Sequence, residues 1–392
     1  MTDVFLIIFF ISILLFFLGT GIWVAISMIG VSAIGMMLFT SRPVGDAMAT
    51  TIWGTSSSWT LTALPLFVWM GEILFRTKLS ENLFKGLSPW MQKLPGGLIH
   101  VNVVGCALFA AISGSSAATV ATVGKMSIPE LRKRKYPEKI LIGSLAGSGT
   151  LGLLIPPSII LIIYGVAVQE SIAKLFIAGI IPGILIALIF MSYVIVWSLI
   201  NKNLMPKIDE DFSFFEKIKR SKQLLPVIIL IIGVIGSIYT GIATATEAAS
   251  LGVIGALILS YFQKSLNFET FKSSLLGATK TSCMIAFILA GSTFLSLAMG
   301  FTGLPRNLAI WIESFNLSPY VLIFVLMIFY IILGMFLDGI SAVVLTMAVI
   351  EPMIRQAGFD MIWFGIFLVI VVEMAQITPP VGFNLFVLQG MA

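Results

Sequence analysis

The chain has 392 residues, of which 58% are hydrophobic and only 10% charged, with a mean hydropathy of +1.08, far more apolar sequence than a soluble domain can bury. The net charge of +5 is spread over short segments between apolar runs, so there is no basic domain to grip nucleic acid. Its two cysteines, Cys106 and Cys283, stand in apolar runs without CxxC or Cys/His spacing, which reads as core packing rather than a metal motif. The fold class is an all-α polytopic membrane protein.

Met1-Thr2-Asp3 lacks the basic start of a signal peptide and no small-residue cleavage site follows, so 4–18 reads as a retained first helix. Further apolar spans follow at 22–40, 47–75, 98–124, 139–168, 172–200, 224–240, 244–262, 281–299, 319–353 and 361–388; runs of about 20 residues can cross the hydrocarbon layer. Ser113-Gly114-Ser115-Ser116 interrupts 98–124 and Asp338-Gly339-Ile340-Ser341 interrupts 319–353, and each predicts a re-entrant hairpin that enters and leaves on one side. Pro156-Pro157 in 139–168 and Pro379-Pro380 in 361–388 remove backbone donors and must break a helix, predicting two crossings made of half-helices. Irregular backbone at membrane depth is tolerated only where protein buries it or a wet cavity solvates it. Interruptions in matching places of two halves therefore point to the solute site of a secondary transporter.

The matching extends along the chain. Thr20-Gly21-Ile22 recurs as Thr240-Gly241-Ile242, Pro129 as Pro352, and Pro156-Pro157 as Pro379-Pro380, with slowly drifting offsets in constant order, as a duplicated unit with insertions would give. The expected organisation is a first repeat over 1–200 (scaffold 4–75, hairpin 98–124, broken helix 139–168), a linker over 201–223, and a second repeat over 224–392 (scaffold 224–299, hairpin 319–353, broken helix 361–388). The second repeat has no counterpart to 172–200, so its last helix is missing from this reading, as in a fragment. If the first hairpin opens inward, alternate crossings place all of the 23 Lys and Arg on that side except Arg42, Lys174, Arg306 and Arg355. The positive-inside rule makes it cytoplasmic, and the two repeats then have inverted topology. The linker mixes Asp209, Glu210, Asp211 and Glu216 with Lys and Arg around Phe212, Phe214 and Phe215, which suits either an amphipathic segment on the inner membrane surface or a solvated loop. Residues 76–97 and 264–280 read as surface-lying arms.

Unwinding at Pro156-Pro157 frees carbonyls such as those of Gly152 and Ile155, and the tip at Ser113 to Ser116 adds hydroxyls. Hard neutral oxygens without a carboxylate cage suit Na⁺ better than a transition metal. Asp338, Gly339, Ser341 and Thr378 supply the matching oxygens in the second half. Helix N-termini at the hairpin tips favour an anionic substrate, which makes Gly114, Ser115, Asp338 and Gly339 the candidate substrate contacts; tight packing of small residues is the bland reading of the serines. A charge at the bilayer centre costs roughly 3 kcal/mol or more unless compensated, which singles out Asp338 at a tip and Glu373 ahead of Thr378, the latter with buried pairing as its plain alternative. Glu247 fits a capping pattern with Thr244, Glu72 can reach Arg76 one turn on, and His100, the single histidine, cannot form a metal or catalytic site alone.

Phe109-Ala110-Ala111-Ile112-Ser113-Gly114-Ser115-Ser116, Gly149 to Ser158 with its Pro-Pro, Thr246-Glu247-Ala248-Ala249, Gly334 to Gly339 and Glu373-Met374-Ala375-Gln376-Ile377-Thr378-Pro379-Pro380-Val381-Gly382 together resemble the large membrane (M) subunit of TRAP transporters, the tripartite ATP-independent periplasmic transporters. The resemblance covers nearly the whole chain and implies a multi-pass protein of the bacterial inner membrane. It further implies an elevator-type Na⁺ symporter receiving an organic acid, such as a C4-dicarboxylate, sialic acid or another sugar acid, from a soluble periplasmic binding protein, with a small four-helix membrane subunit as partner. Carried over by motif, one Na⁺ would be held by Ser113, Ser116, Gly152, Ile155 and Pro157, the other by Gly339, Ala375, Thr378 and Val381, with substrate between them. The family's usual Gly-x-Pro near the first helix break is Gly19-Thr20-Gly21 here. A binding-protein-independent Na⁺/organic anion symporter of the same superfamily would share the hairpins. No HExxH, GxSxG or carboxylate-rich motif supports an enzyme.

Overall fold

The computed structural model describes residues 2–76, 79–206, 212–222, 224–303, 318–380 and 382–391. Arg306, Lys78, Asp209, Glu210, Asp211 and Val381 therefore lie outside the described residues. Among those described there is helix and no strand. In chain order the first half gives α1 (Thr2–Gly19), α2 (Val24–Phe39), α3 (Val44–Ser56), α4 (Ala63–Phe75), α5 (Leu79–Met91), α6 (Ile99–Ser113), α7 (Ser116–Lys133), α8 (Glu138–Gly149), α9 (Leu151–Leu154), α10 (Ile159–Ala167) and α11 (Ile172–Ile200). The remainder gives α12 (Phe214–Ser221), α13 (Leu225–Tyr239), α14 (Ala245–Phe262), α15 (Phe268–Thr302), α16 (Pro319–Gly334), α17 (Gly339–Gln356), α18 (Met361–Gln376) and α19 (Phe383–Gln389).

Local chemistry sets the breaks. Gly114 ends α6 in the left-handed region, at φ 60°, and Ser115 restarts the chain as the N-cap of α7, its side chain accepting from Ala118 N. That conformation costs a glycine nothing, because it has no Cβ. Asp338 plays the N-cap part for α17, accepting from Ser341 N at 3.2 Å. The first Pro-Pro separates α9 from α10, bending the crossing by 41°, and Ser158 caps α10 while donating to the Leu153 carbonyl across the break. The second follows Thr378 and separates α18 from α19. Glu247 closes a capping box with Thr244, accepting its backbone N–H at 2.8 Å.

Two features of the scaffold go beyond the span boundaries. The 47–75 span is not one rod: α3 stops at Ser56 and the chain bends by 52° into α4 through a short 3-10 turn, Trp59–Thr62. Pro65 in the first turn of α4 accounts for this, since its ring would clash with the Leu61 carbonyl in a continuous helix and is tolerated only near a helix start. Within 264–280, the stretch expected as a surface-lying arm, residues 268–280 form the opening turns of α15, which Asn267 caps by accepting from Thr270 N at 2.7 Å. No proline interrupts its 35 residues, so the helix runs on for about 52 Å. By contrast α5 is a separate helix, and the linker docks on it: Trp90 Nε1 donates to Ser221 Oγ at 2.7 Å, and Lys217 lies over the Trp90 ring.

The helices pack as two groups. In one, α2, α4 and α14 pack on α15 or on each other, with α13 on α14; in the other, the hairpins α6/α7 and α16/α17 pack against the broken crossings α8–α10 and α18–α19. Tyr164, fully buried in α10, donates its hydroxyl to the Met361 carbonyl at the start of α18, at 2.6 Å, joining the two broken crossings. The groups meet where α15 crosses α17 and α4 crosses α6; there Ser292 donates to the Val344 carbonyl at 2.6 Å.

Candidate functional site

The two hairpin tips face one cavity of about 1060 Å³. Ser115 and Ser116 line it from the first tip, and Asp338, Gly339 and Ser341 from the second. Most of the remaining wall is apolar, with Gln376, Lys280 and Thr281 as its other polar groups. A large, mainly apolar cavity with a few convergent polar groups is the usual form of a small-molecule site.

The first tip is tied closely to the first broken crossing. Ile159 N donates to the Gly114 carbonyl at 3.3 Å. A Cβ on Gly114 would lie 2.6 Å from the Pro157 carbonyl oxygen, and one on Gly152 would lie 2.6 Å from the Ser115 carbonyl oxygen. The Ser113 hydroxyl shares a hydrogen bond with Thr119 Oγ1 at 2.9 Å and also meets the Ser115 N–H at 3.3 Å. Ser113, Gly114, Ser115, Ser116, Gly152 and Pro157 thus converge within one small volume, with Ile155 two residues from Pro157 in the break itself. Ile155 N donates to the Leu151 carbonyl at 3.0 Å.

The second set is looser. Gly339 lies against Gln376, whose Nε2 would be 2.5 Å from a Cβ there, and Ala375 packs on Gly334. Thr378 Oγ1 donates to the Met374 carbonyl at 2.7 Å and Thr378 N to the Ala375 carbonyl at 3.0 Å. Hydrogen bonds of its own helix end thus engage this residue's hydroxyl and the Ala375 carbonyl. Among the described residues no group of three or more His, Cys, Asp or Glu could hold a metal ion.

Several members of the cavity wall carry no strong mark in the sequence pattern. Lys280, expected at the end of a cytoplasmic surface arm, is exposed on α15 inside the cavity. Gln376 and Trp23 also face it. The signal for Gln376 was its place one helical turn after Glu373, just before the break. Glu373 is 4% exposed, and its Oε1 accepts a 2.6 Å hydrogen bond from Ser116 Oγ, a contact between the second broken crossing and the first hairpin tip.

The family model of the tripartite ATP-independent periplasmic transporter, DctM component, matches residues 10–392. The chain is 32% identical over 357 residues to the C4-dicarboxylate TRAP transporter large permease protein DctM of Pseudomonas aeruginosa, covering 91% of this chain and 82% of that one. It is 30% identical to the isethionate TRAP transporter permease protein DctMQ of Oleidesulfovibrio alaskensis over 96% of its own length, and spans 59% of that longer protein. In fold it is similar to the crystal structure of the YdaH transporter of Alcanivorax borkumensis, with a TM-score of 0.64 and 13% identity, covering 96% of this chain and 90% of the other.

Proposed function

The chain belongs to the DctM family, the large permease components of tripartite ATP-independent periplasmic (TRAP) transporters and integral membrane proteins, and on that premise we propose that it carries a small organic anion inward by Na⁺-coupled elevator movement. The observation that carries the reading is the cavity between the two tips. Relatives named for a C4-dicarboxylate and for isethionate point to a compact acid, and the cavity offers such a molecule Lys280 as a cation and Gln376, Ser115 and Ser341 as hydrogen-bonding groups. A charged group met by a lysine and several neutral donors in a largely apolar surround is held by the stronger, charge-assisted kind of hydrogen bond.

In this reading one Na⁺ lies among Ser113, Ser116, Gly152, Ile155 and Pro157, and a second lies by Gly339, Ala375 and Thr378. Asp338, half-buried at the second tip, adds negative charge beside that second ion. The hairpins and broken crossings move as one block along a scaffold of α2, α4, α13, α14 and α15. On the positive-inside orientation, Trp23 and Lys280 mark the cytoplasmic mouth of the cavity, so the arrangement is the inward-facing one. A small membrane subunit and a soluble periplasmic binding protein complete the assembly, and the binding protein delivers the substrate.

Cys283 lines the cavity and is exposed, whereas Cys106 is buried, so the native chain carries its own probe. In oriented vesicles lacking substrate, a membrane-impermeant maleimide is expected to label Cys283 from the cytoplasmic side, and Na⁺ with substrate-loaded binding protein is expected to change the labelling rate. A rate that ignores both, or labelling from the periplasmic side alone, contradicts the inward-facing assignment.

A further inference from the structure

Glu373 is a buried carboxylate with one oxygen engaged and one idle. Its Oε1 accepts the Ser116 hydroxyl at 2.6 Å, its Oε2 has no hydrogen-bond partner, and the residue is 4% exposed. A carboxylate in such a place is tolerated only with compensation. The N-terminal end of α7, where Ser116 is the first helical residue, is favourable to negative charge, yet it places no donor on Oε2. The same Ser116 stands where the first tip meets Gly152 and the carbonyls of the broken crossing. Neutral oxygens gathered there lack a negative charge of their own, and Glu373 is the acid whose hydroxyl partner belongs to that cluster. One carboxylate among neutral oxygens matches a single positive charge, which is the balance a Na⁺ site needs.

We propose that Glu373, contributed by the second half of the chain, is the charged ligand of the first-half Na⁺ site, so that ion binding at Ser113–Ser116 clamps the first hairpin to the second broken crossing. The inference rests on the Na⁺ reading above and goes beyond it: the two halves do not hold their ions independently, because the first ion is shared across them. Ser116 then has two tasks, orienting the carboxylate in the absence of the ion and joining it as a ligand in its presence.

The test is a Na⁺ titration of the full chain with its small membrane subunit in nanodiscs, replacing choline by Na⁺ at constant ionic strength and following thermal unfolding. The wild type is expected to be stabilised with a saturable midpoint. Glu373→Gln keeps the shape and the Ser116 hydrogen bond, and its midpoint is expected to rise about tenfold or more, with a smaller rise in Ser116→Ala. If Glu373 were only a packing or helix-end partner, the baseline unfolding temperature would move while the midpoint stayed. A wild-type midpoint in Glu373→Gln overturns the proposal and leaves Na⁺ coupling standing; a wild type with no Na⁺ response overturns both. Should Glu373→Gln not fold, Glu373→Asp, which withdraws the charge from Ser116 by one methylene, is expected to raise the midpoint, and an unchanged midpoint there overturns the proposal equally.

Discussion

Gly152 in the first broken crossing lies so close to the first hairpin tip that a Cβ there would sit 2.6 Å from the Ser115 carbonyl oxygen and 2.7 Å from Ser116 Cα. The opposing atoms are backbone, so they cannot swing aside as a side chain would. Gly152→Ala is therefore expected to push the tip away from the break, lowering stability by about 1–3 kcal/mol and abolishing uptake. Gly143→Ala in the neighbouring α8, where a Cβ meets open space, is expected to leave uptake intact and to hold or slightly raise the unfolding temperature. Thermal unfolding and uptake measured on both variants check the contrast.

Asp338 combines two roles that substitution can separate. As the N-cap of α17 it accepts from Ser341 N, a task that asparagine performs about as well, while alanine loses about 1 kcal/mol. Its charge faces the cavity. Asp338→Asn is thus expected to unfold like the wild type and yet to need more Na⁺ for half-maximal uptake, whereas Asp338→Ala loses both stability and coupling. Ser113→Ala, which removes one neutral oxygen, is expected to do less harm to uptake than Asp338→Asn. Wild-type uptake by Asp338→Asn at limiting Na⁺ would leave the residue a cap alone.

Lys280 is the cationic group in the cavity wall. Its removal as Lys280→Gln is expected to raise the substrate concentration for half-maximal uptake about threefold to tenfold, a charge-assisted contact discounted for the exposure of the side chain. The maximal rate and the Na⁺ dependence should change little. An unchanged concentration dependence would remove Lys280 from the substrate's path.

Tyr164 ties the two broken crossings together through the Met361 carbonyl at 2.6 Å. Tyr164→Phe leaves that carbonyl without this donor in a buried setting, at a cost of about 1–3 kcal/mol. Lower thermal stability with a near-normal Na⁺ midpoint is the expected pattern, because the bond joins the two broken crossings and involves none of the proposed ion ligands.

Both tips and both breaks were legible because they violate a rule of the bilayer. Ser113 to Ser116 and Asp338 to Ser341 put polar groups into apolar runs, and Pro-Pro removes backbone donors, so each stands out against its own neighbours. The kink before α4 was hidden by comparison: Ser56-Ser57-Ser58 is flanked by Thr50, Thr51, Thr55, Thr60 and Thr62, so it does not stand out against its neighbours, and Pro65 follows it at a distance. The length of α15 was obscured by charge, since Lys272 and Lys280 set 264–280 apart as a surface arm from the apolar span 281–299, although the helix carries them without interruption. Lateral contacts leave no local trace at all. The partnership of Ser116 with Glu373 joins positions 257 apart in sequence, and nothing in the composition around either residue specifies the other. Lys280 and Trp23 reach the cavity for the same reason, by the packing of α15 and α2 rather than by a pattern of their own.

Oxygens at the tips and breaks are expected to couple Na⁺ to uptake of an organic anion. The most direct measurement is uptake of radiolabelled C4-dicarboxylate or isethionate into proteoliposomes holding the chain and its small membrane subunit, with substrate-loaded binding protein outside. An inward Na⁺ gradient is expected to drive accumulation of a transported acid, and replacing Na⁺ by choline at fixed pH and voltage to abolish it. Accumulation that persists undiminished in choline, or that proceeds at full rate without the binding protein, would contradict the account.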